Sequence, residues 1–379
     1  NEAVATLGTP YAQIRILGVL SMVATTSFKG FFDGVGRTRV HMYACLIMNA
    51  VNVPLNYVLI FGLGSIPAYH VTGAAIASLI STYVGLSIMI IWSLRGKYLK
   101  PFGYYTIRNF NPKLSWEIIK LSAPSGAAQL FVMIGVLMFM KIIDMIDEAT
   151  IRGALDATHY YGGLMKNGVH ELHAAMLAKP EMANRIVVDD WTHAVLRSRP
   201  PIYMTAAKLI VDILSICIVV AIAFGQATAT LVSQAMGKED YDLAEAYGWD
   251  SVKLGVVIFG ALGVVIVVFP EFFLNILSSD QIVIEAAVPG LRLMATSLIF
   301  VSMSLIVMQA LFGAGDTKFV MWVELILHGI CLAPMAYLFA IVFDWGFLGV
   351  WISATVYIAA LAVIMTWKFW DGRWKLIKV

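Results

Sequence analysis

Gly34-Val35-Gly36-Arg37-Thr38 and Gly313-Ala314-Gly315-Asp316-Thr317 are two versions of one phrase, 279 positions apart (34 to 313). The first closes an apolar run ending Phe31-Phe32, the second one ending Leu311-Phe312. The same spacing relates Pro10 to Pro289. With one residue of slippage, Pro54-Leu55-Asn56-Tyr57 aligns with Pro334-Met335-Ala336-Tyr337; after that, at a shorter spacing, Gly73-Ala74-Ala75-Ile76 pairs with Gly349-Val350-Trp351-Ile352. A duplication written in long apolar runs predicts a two-lobed membrane fold.

The composition agrees. Of 379 residues, 60% are hydrophobic and 13% charged, against about 25% charged in soluble domains. Nine apolar segments follow, about 11–32, 40–62, 71–94, 118–143, 206–235, 250–270, 286–312, 319–343 and 347–369. Each is long enough to cross a hydrocarbon core of ~30 Å at ~1.5 Å per residue. Period-2 alternation is missing, so the expected class is all-α rather than a barrel. Cys45, Cys217 and Cys331 all fall in apolar segments and read as packing residues. No basic run points to nucleic acid, and no nucleophile elbow, HExxH or Walker motif points to an enzyme.

Charge alternates between connections. Arg37 and Arg39 follow the first span, and Arg95, Lys97, Lys100, Arg108 and Lys113 follow the third. Lys238 follows the fifth, Lys318 the seventh, and Arg373, Lys375 and Lys378 the ninth. Connections 63–70, 271–285 and 344–346 hold no Lys or Arg. The positive-inside rule therefore places the chain's C-terminus in the cytoplasm. The stretch 149–205 carries Arg and Lys on the opposite side, but connections of that length translocate whatever their charge. It reads as an extramembrane insertion with amphipathic helices at about 164–178 and 181–197.

Gly34 and Gly313 then end spans of the same direction, so the repeat is parallel and each unit holds an even number of spans. With six per lobe, the chain contains the last three of one lobe and all six of the next. The first twelve residues carry no Lys or Arg and no signal peptide, and the chain is expected to start partway through a longer parent. The expected domains are 1–94, the remainder of the N-lobe; 95–114, a cytoplasmic linker; and 115–379, the C-lobe with its insertion.

These residues resemble the multidrug and toxin extrusion (MATE) family of cation-driven efflux transporters. The resemblance rests on the two Gly-x-Gly-[Arg/Asp]-Thr turns, Asn52-Val53-Pro54-Leu55-Asn56-Tyr57 with Ile60-Phe61-Gly62, and Gly73-Ala74-Ala75-Ile76-Ala77. It extends to Phe224-Gly225-Gln226-Ala227-Thr228-Ala229-Thr230-Leu231-Val232-Ser233-Gln234-Ala235-Met236-Gly237. It implies helices 4–12 of a twelve-helix, two-lobe bundle in the bacterial inner membrane. It further implies a monomeric antiporter with no cofactor, driven by Na⁺ or H⁺, whose partners are small organic cations or drugs. The chain departs from the family where acidic ion-coupling residues are expected. Helix 1 is absent, and Val132 and Val301 stand at the positions of a Glu and an Asp. The alternatives are a truncated, non-transporting fragment and a flippase for lipid-linked oligosaccharides. The flippase would need a cationic cleft, for which Lys29 and Lys141, both near span ends, are the main candidates.

Gly34, Gly36, Gly313 and Gly315 are expected to form helix C-terminal turns needing φ > 0, with Thr38 and Thr317 capping the next helix. Asn52 and Asn56 share a face around Pro54, which frees the carbonyl near position 50. They either support interhelical or kink hydrogen bonds or line an aqueous cleft. Gln129 carries the same alternatives. Glu324 and His328 stand i, i+4, roughly 9 and 15 Å deep by helical rise after Lys318. Such a pair is either structural or shares one proton and titrates as a unit. Asn49 stands opposite His328 in the repeat, which marks a position where the copies differ. Met133, Met138, Met294, Met303, Phe131 and Phe300 are candidate walls of a broad-selectivity site. Lys208–Asp212 and the cluster Lys141, Asp144 and Asp147 read as interfacial. His159, His170, His173 and His193 lack a fixed spacing and a closed ligand shell for zinc.

Overall fold

The computed structural model describes residues 2–64, 66–95, 111–167 and 202–377. Among them the chain is helical, without a strand beyond one isolated bridge, Leu63 to Ile66. Two compact units emerge, Asn1–Ser115 and Trp116–Val379. The first contains α1 (Glu2–Leu17), α2 (Val19–Gly34), α3 (Arg39–Phe61) and α4 (His70–Ser93). The second contains most of α5 (Pro112–Asn167), then α6 (Ile202–Met236), α7 (Tyr241–Val268), α8 (Pro270–Leu277), α9 (Gln281–Thr296) and α10 (Leu298–Gly313). It ends with α11 (Thr317–Ile326), α12 (Ala333–Tyr337) and α13 (Gly346–Asp371). Among the described residues eight helical stretches are long and apolar enough to cross a membrane, and α9 with α10, bent by 50°, makes a ninth.

The repeat is now visible as geometry. Gly36 has φ 71° and Gly315 φ 87°. In the first copy Arg37 N–H donates to Phe32 O at 2.7 Å, and in the second Asp316 N–H donates to Leu311 O at 2.9 Å. These are the long closing bonds of a helix end whose left-handed residue favours glycine. Gly34 and Gly313 do not have positive φ, contrary to expectation; they are the last helical residues. Gly313 is small for another reason: a Cβ there would run into the Ala229 backbone of α6, whereas nothing lies within 4 Å of one at Gly34. The threonine caps are also absent. Thr38 makes no side-chain cap bond, and in the second copy the N-cap position belongs to Asp316, with Thr317 the first helical residue. The glycine pair makes a controlled prediction. Gly313→Ala is expected to destabilise by about 1–3 kcal/mol, because backbone cannot yield as a side chain does. Gly34→Ala should be neutral, read as midpoints of thermal unfolding in detergent.

A break in the first span repeats as well. Gly18 N–H donates to Arg15 O between α1 and α2, and Ser297 N–H donates to Met294 O between α9 and α10. Gly18 and Ser297 keep the 279 spacing. The one-residue slippage also has a cause. In the second copy a π turn, Leu327–Leu332, interrupts the helix between Thr317 and Pro334. A π turn is one residue inserted into an α-helix, which is the difference between the two spacings. α3 runs through Pro54 without one. A second π turn, Leu338–Val342, follows α12.

The second unit has an extended core. Trp351, 2% exposed, meets Phe139 and Phe347 edge-on with ring centroids 5.7 and 5.9 Å apart. Its indole fits because Gly290 faces it: a Cβ there would come within 2.8 Å of Nε1. The described core of the first unit is smaller, around Phe32, Val40, Ala44 and Met89. Its α1–α2 stretch exposes Ile16, Leu17, Val19, Leu20, Met22 and Val23, a surface suited to hydrocarbon or to further helices.

The fourth span differs from expectation. α5 is continuous for 56 residues, about 84 Å of helix at ~1.5 Å per residue, far beyond one hydrocarbon thickness. The start of the 149–205 insertion is thus an extension of that span. The helix proposed at 181–197 and most of the one at 164–178 lie outside the described residues.

Candidate functional site

α11 carries Glu324 on its last full turn, and the π turn that follows carries His328. Both are buried, with side chains 3% and 4% exposed. His328 Nδ1 lies 2.8 Å from Glu324 Oε2 and 3.1 Å from the Glu324 carbonyl oxygen. From α13, Tyr357 OH donates to Glu324 Oε2 at 3.3 Å and lies 3.0 Å from His328 Nε2. The tyrosine ring also meets the imidazole edge-on at 4.7 Å between centroids. On α5, Gly135 makes room for the ring, since a Cβ there would stand 2.5 Å from His328 Cδ2. Four helical segments thus converge on one polar cluster in an apolar layer.

The electrostatics follow from burial. A lone ionised carboxylate or imidazolium costs several kcal/mol to desolvate. Carboxylate plus imidazolium is neutral in sum, and so is carboxylic acid plus imidazole. Tyr357 adds a hydroxyl donor from a helix distant in sequence. Sequence reasoning found Glu324 and His328 and missed Tyr357, which is 29 residues beyond His328.

The amides go elsewhere. Asn56 Nδ2 donates to Asn52 Oδ1 at 2.8 Å, and Asn52 Nδ2 donates to Ser81 Oγ of α4 at 3.3 Å. This is an α3–α4 hydrogen-bond chain, and the carbonyl near position 50 is not its target. Asn49 and Gln129 are exposed. Met294 is buried in the core, 5% exposed. Phe300 and Met303 do border a cavity of about 360 Å³ with Trp249, Thr366, Trp367 and Trp370. Met133 and Met138 are exposed, and Phe131 is half-buried. Val132 is half-buried and Val301 buried, both without a titratable group.

Charged candidates resolve into local pairs. Lys29 binds Asp33 at 2.7 Å, Lys141 binds Asp144 at 2.6 Å and Lys208 binds Asp212 at 3.0 Å. Asp147 is not part of an interfacial cluster. Its carboxylate accepts from Tyr203 N–H at 2.9 Å and Met204 N–H at 2.6 Å, capping α6 from the end of the fourth span. His170, His173 and His193 lie outside the described residues. Among those described, no group of three or more His, Cys, Asp or Glu is placed to hold a metal ion.

Comparison with known proteins adds the family. A family model described as MatE matches residues 1–58 and 192–338, more than half of the chain. The probable multidrug resistance protein NorM of Bacillus thuringiensis subsp. konkukian is 26% identical over 363 residues, covering 95% of this chain and 68% of that protein. The protein of the same description from Thermotoga maritima is 23% identical over 372 residues, covering 96% and 67%. A solved outward-facing multidrug resistance MATE family transporter of the MOP superfamily superposes with a TM-score of 0.73 at 20% identity, over 98% of this chain and 70% of that one. Repeated turns, paired breaks and nine apolar spans have the same source: the chain belongs to the MatE family of multidrug and toxin extrusion transporters.

Proposed function

We propose that the chain works as a secondary antiporter, exporting amphipathic, often cationic organic compounds in exchange for inward-moving protons. The family match and the multidrug resistance description of its relatives support export. The observation that carries the choice of ion is the buried Glu324–His328–Tyr357 cluster. A sodium site would gather several oxygen ligands, whereas here an imidazole nitrogen occupies the carboxylate at 2.8 Å. A shared proton suits that geometry, and the π turn places it where the helix has an extra residue to rearrange. Transport then requires two cleft states that differ in affinity for proton and substrate, so that loading one disfavours the other. The proposed setting is the bacterial inner membrane with the C-terminus in the cytoplasm, acting as a monomer.

The flippase reading has less support. Its cationic cleft would draw on Lys29 and Lys141, and each is already held by an aspartate. The deciding experiment expresses the native gene product containing this chain in efflux-deficient bacteria and follows ethidium retention. Retention is expected to fall, and to rise again when the pH gradient is collapsed at constant Na⁺. Efflux that follows only the Na⁺ gradient would reject proton coupling, and no efflux of any organic cation would reject the transporter assignment.

A further inference from the structure

The two units differ where the repeat should make them alike. In the second, Asp316 follows the Gly315 turn and pairs with Lys368 of α13 at 3.3 Å, both side chains largely buried. Lys368 also lies 4.9 Å above the Phe319 ring. Past α13 the chain folds back on itself. Trp374 is fully buried, stacks on Phe369 with centroids 4.8 Å apart, and donates its indole N–H to Phe369 O at 2.7 Å. At that end of the second unit Asp316 and Lys368 neutralise each other, and the turn is closed by Trp374.

In the first unit Arg37 replaces Asp316, and Trp92 replaces Lys368 by the spacing that pairs Gly73 with Gly349. The result is a cavity of about 670 Å³ bordered by Gly36, Arg37, Arg39, Tyr43, Trp92 and Arg95. Arg95 lies 4.2 Å above the Trp92 ring, and Tyr43 stacks parallel to Trp92 at 6.2 Å. Among the described residues no carboxylate pairs with Arg37, Arg39 or Arg95. Asp33, in the last turn of α2, is engaged by Lys29 at 2.7 Å. The sequence after Arg95 offers no acidic residue before Glu117. Three guanidinium groups and two indole- and phenol-bearing rings thus border a space that no described residue lines with a carboxylate.

We infer that this cavity at the ends of α2, α3 and α4 binds the phosphate of an anionic phospholipid head group. Guanidinium forks match phosphate oxygens two at a time. Tyrosine and tryptophan are at home at head-group depth. On the topology proposed above, the cavity opens at the cytoplasmic leaflet, where anionic lipids concentrate and basic sites between helix ends hold them. The second unit needs no such ligand, because Asp316 and Trp374 fill the corresponding roles. The lipid site stands on lipid binding alone, so failure of the transport assignment leaves it untouched.

The test reconstitutes the whole chain in phosphatidylcholine nanodiscs containing a minor fraction of phosphatidylglycerol. Native mass spectrometry then counts the lipids that stay bound. Wild type is expected to retain phosphatidylglycerol over phosphatidylcholine, and R37Q/R39Q/R95Q to retain it at least about tenfold less well. Each single Arg→Gln variant is expected to lose part of that preference, which keeps the test readable if the triple variant fails to fold. Lys318→Gln, an exposed cation at the corresponding end of the second unit, should change nothing. Equal retention by the triple variant, equal retention of both lipids, or displacement by millimolar inorganic phosphate would each overturn the assignment, the last by making the occupant a free anion.

Discussion

Glu324→Gln is expected to reduce efflux to its gradient-independent level while the protein still folds. Glutamine keeps the volume and an oxygen that accepts from Tyr357 and His328, so the cost in stability should stay within about 1.5 kcal/mol. What it removes is the carboxylate oxygen 2.8 Å from His328 Nδ1, on which the proposed proton coupling rests. A protein whose two cleft states no longer differ in proton affinity cannot transmit a pH gradient to its substrate. Glu324→Ala and His328→Ala should behave differently from the glutamine variant. Each leaves a buried partner uncompensated, at about 3–5 kcal/mol, and should lower the unfolding midpoint as well as activity. Tyr357→Phe should keep folding and shift the pH at which efflux is half-maximal, since it withdraws one donor from the carboxylate. Transport assays at fixed membrane potential with varied pH separate these outcomes. Efflux in Glu324→Gln that still follows the pH gradient would sink the coupling role.

Asp316→Arg should unfold the second unit more readily than any exchange of the same residue types in the first. It would set two cations against each other at the 3.3 Å contact with Lys368, in a spot where both side chains are largely buried. Screening by salt is weak there, and an uncompensated buried charge costs about 3–5 kcal/mol. The swap Asp316→Lys with Lys368→Asp should recover most of the loss, because the pair is re-formed with its signs reversed. The reciprocal change in the first unit, Arg37→Asp, should move stability by no more than about 0.5 kcal/mol, as at an exposed surface site. Unfolding midpoints of wild type, Asp316→Lys, Lys368→Asp and the swap form a double-mutant cycle. A swap no better than the single variant would show that packing, not charge, holds that end.

Spans and repeat are legible in the chain because the bilayer imposes a length on apolar runs and the duplication imposes a spacing. Nine segments drawn on those grounds match the apolar helices and the bent α9–α10 pair. The glycine turns are legible too, but the particular glycines are not. A motif shows where φ > 0 is needed within two positions, and the hydrogen bonds Arg37 N–H to Phe32 O and Asp316 N–H to Leu311 O assign it to Gly36 and Gly315. The slip from one spacing to the next was visible as a single residue. Its meaning, a π turn beside His328, depends on hydrogen-bond pattern and not on residue type.

Sequence alone settled what depends on local rules: an all-α membrane chain, a repeated glycine turn, and the i, i+4 pair Glu324 and His328. The tertiary structure decided everything that rests on contact between distant segments. It brought Tyr357 to that pair and Gly135 over its ring. It turned Asp147 into the cap of α6. It left Arg37 beside a cavity while its counterpart Asp316 found Lys368. The physical reason is the same in each case. Period and length are properties of a segment in its solvent, whereas the partner of a polar group is chosen by packing, and packing is written in no one segment.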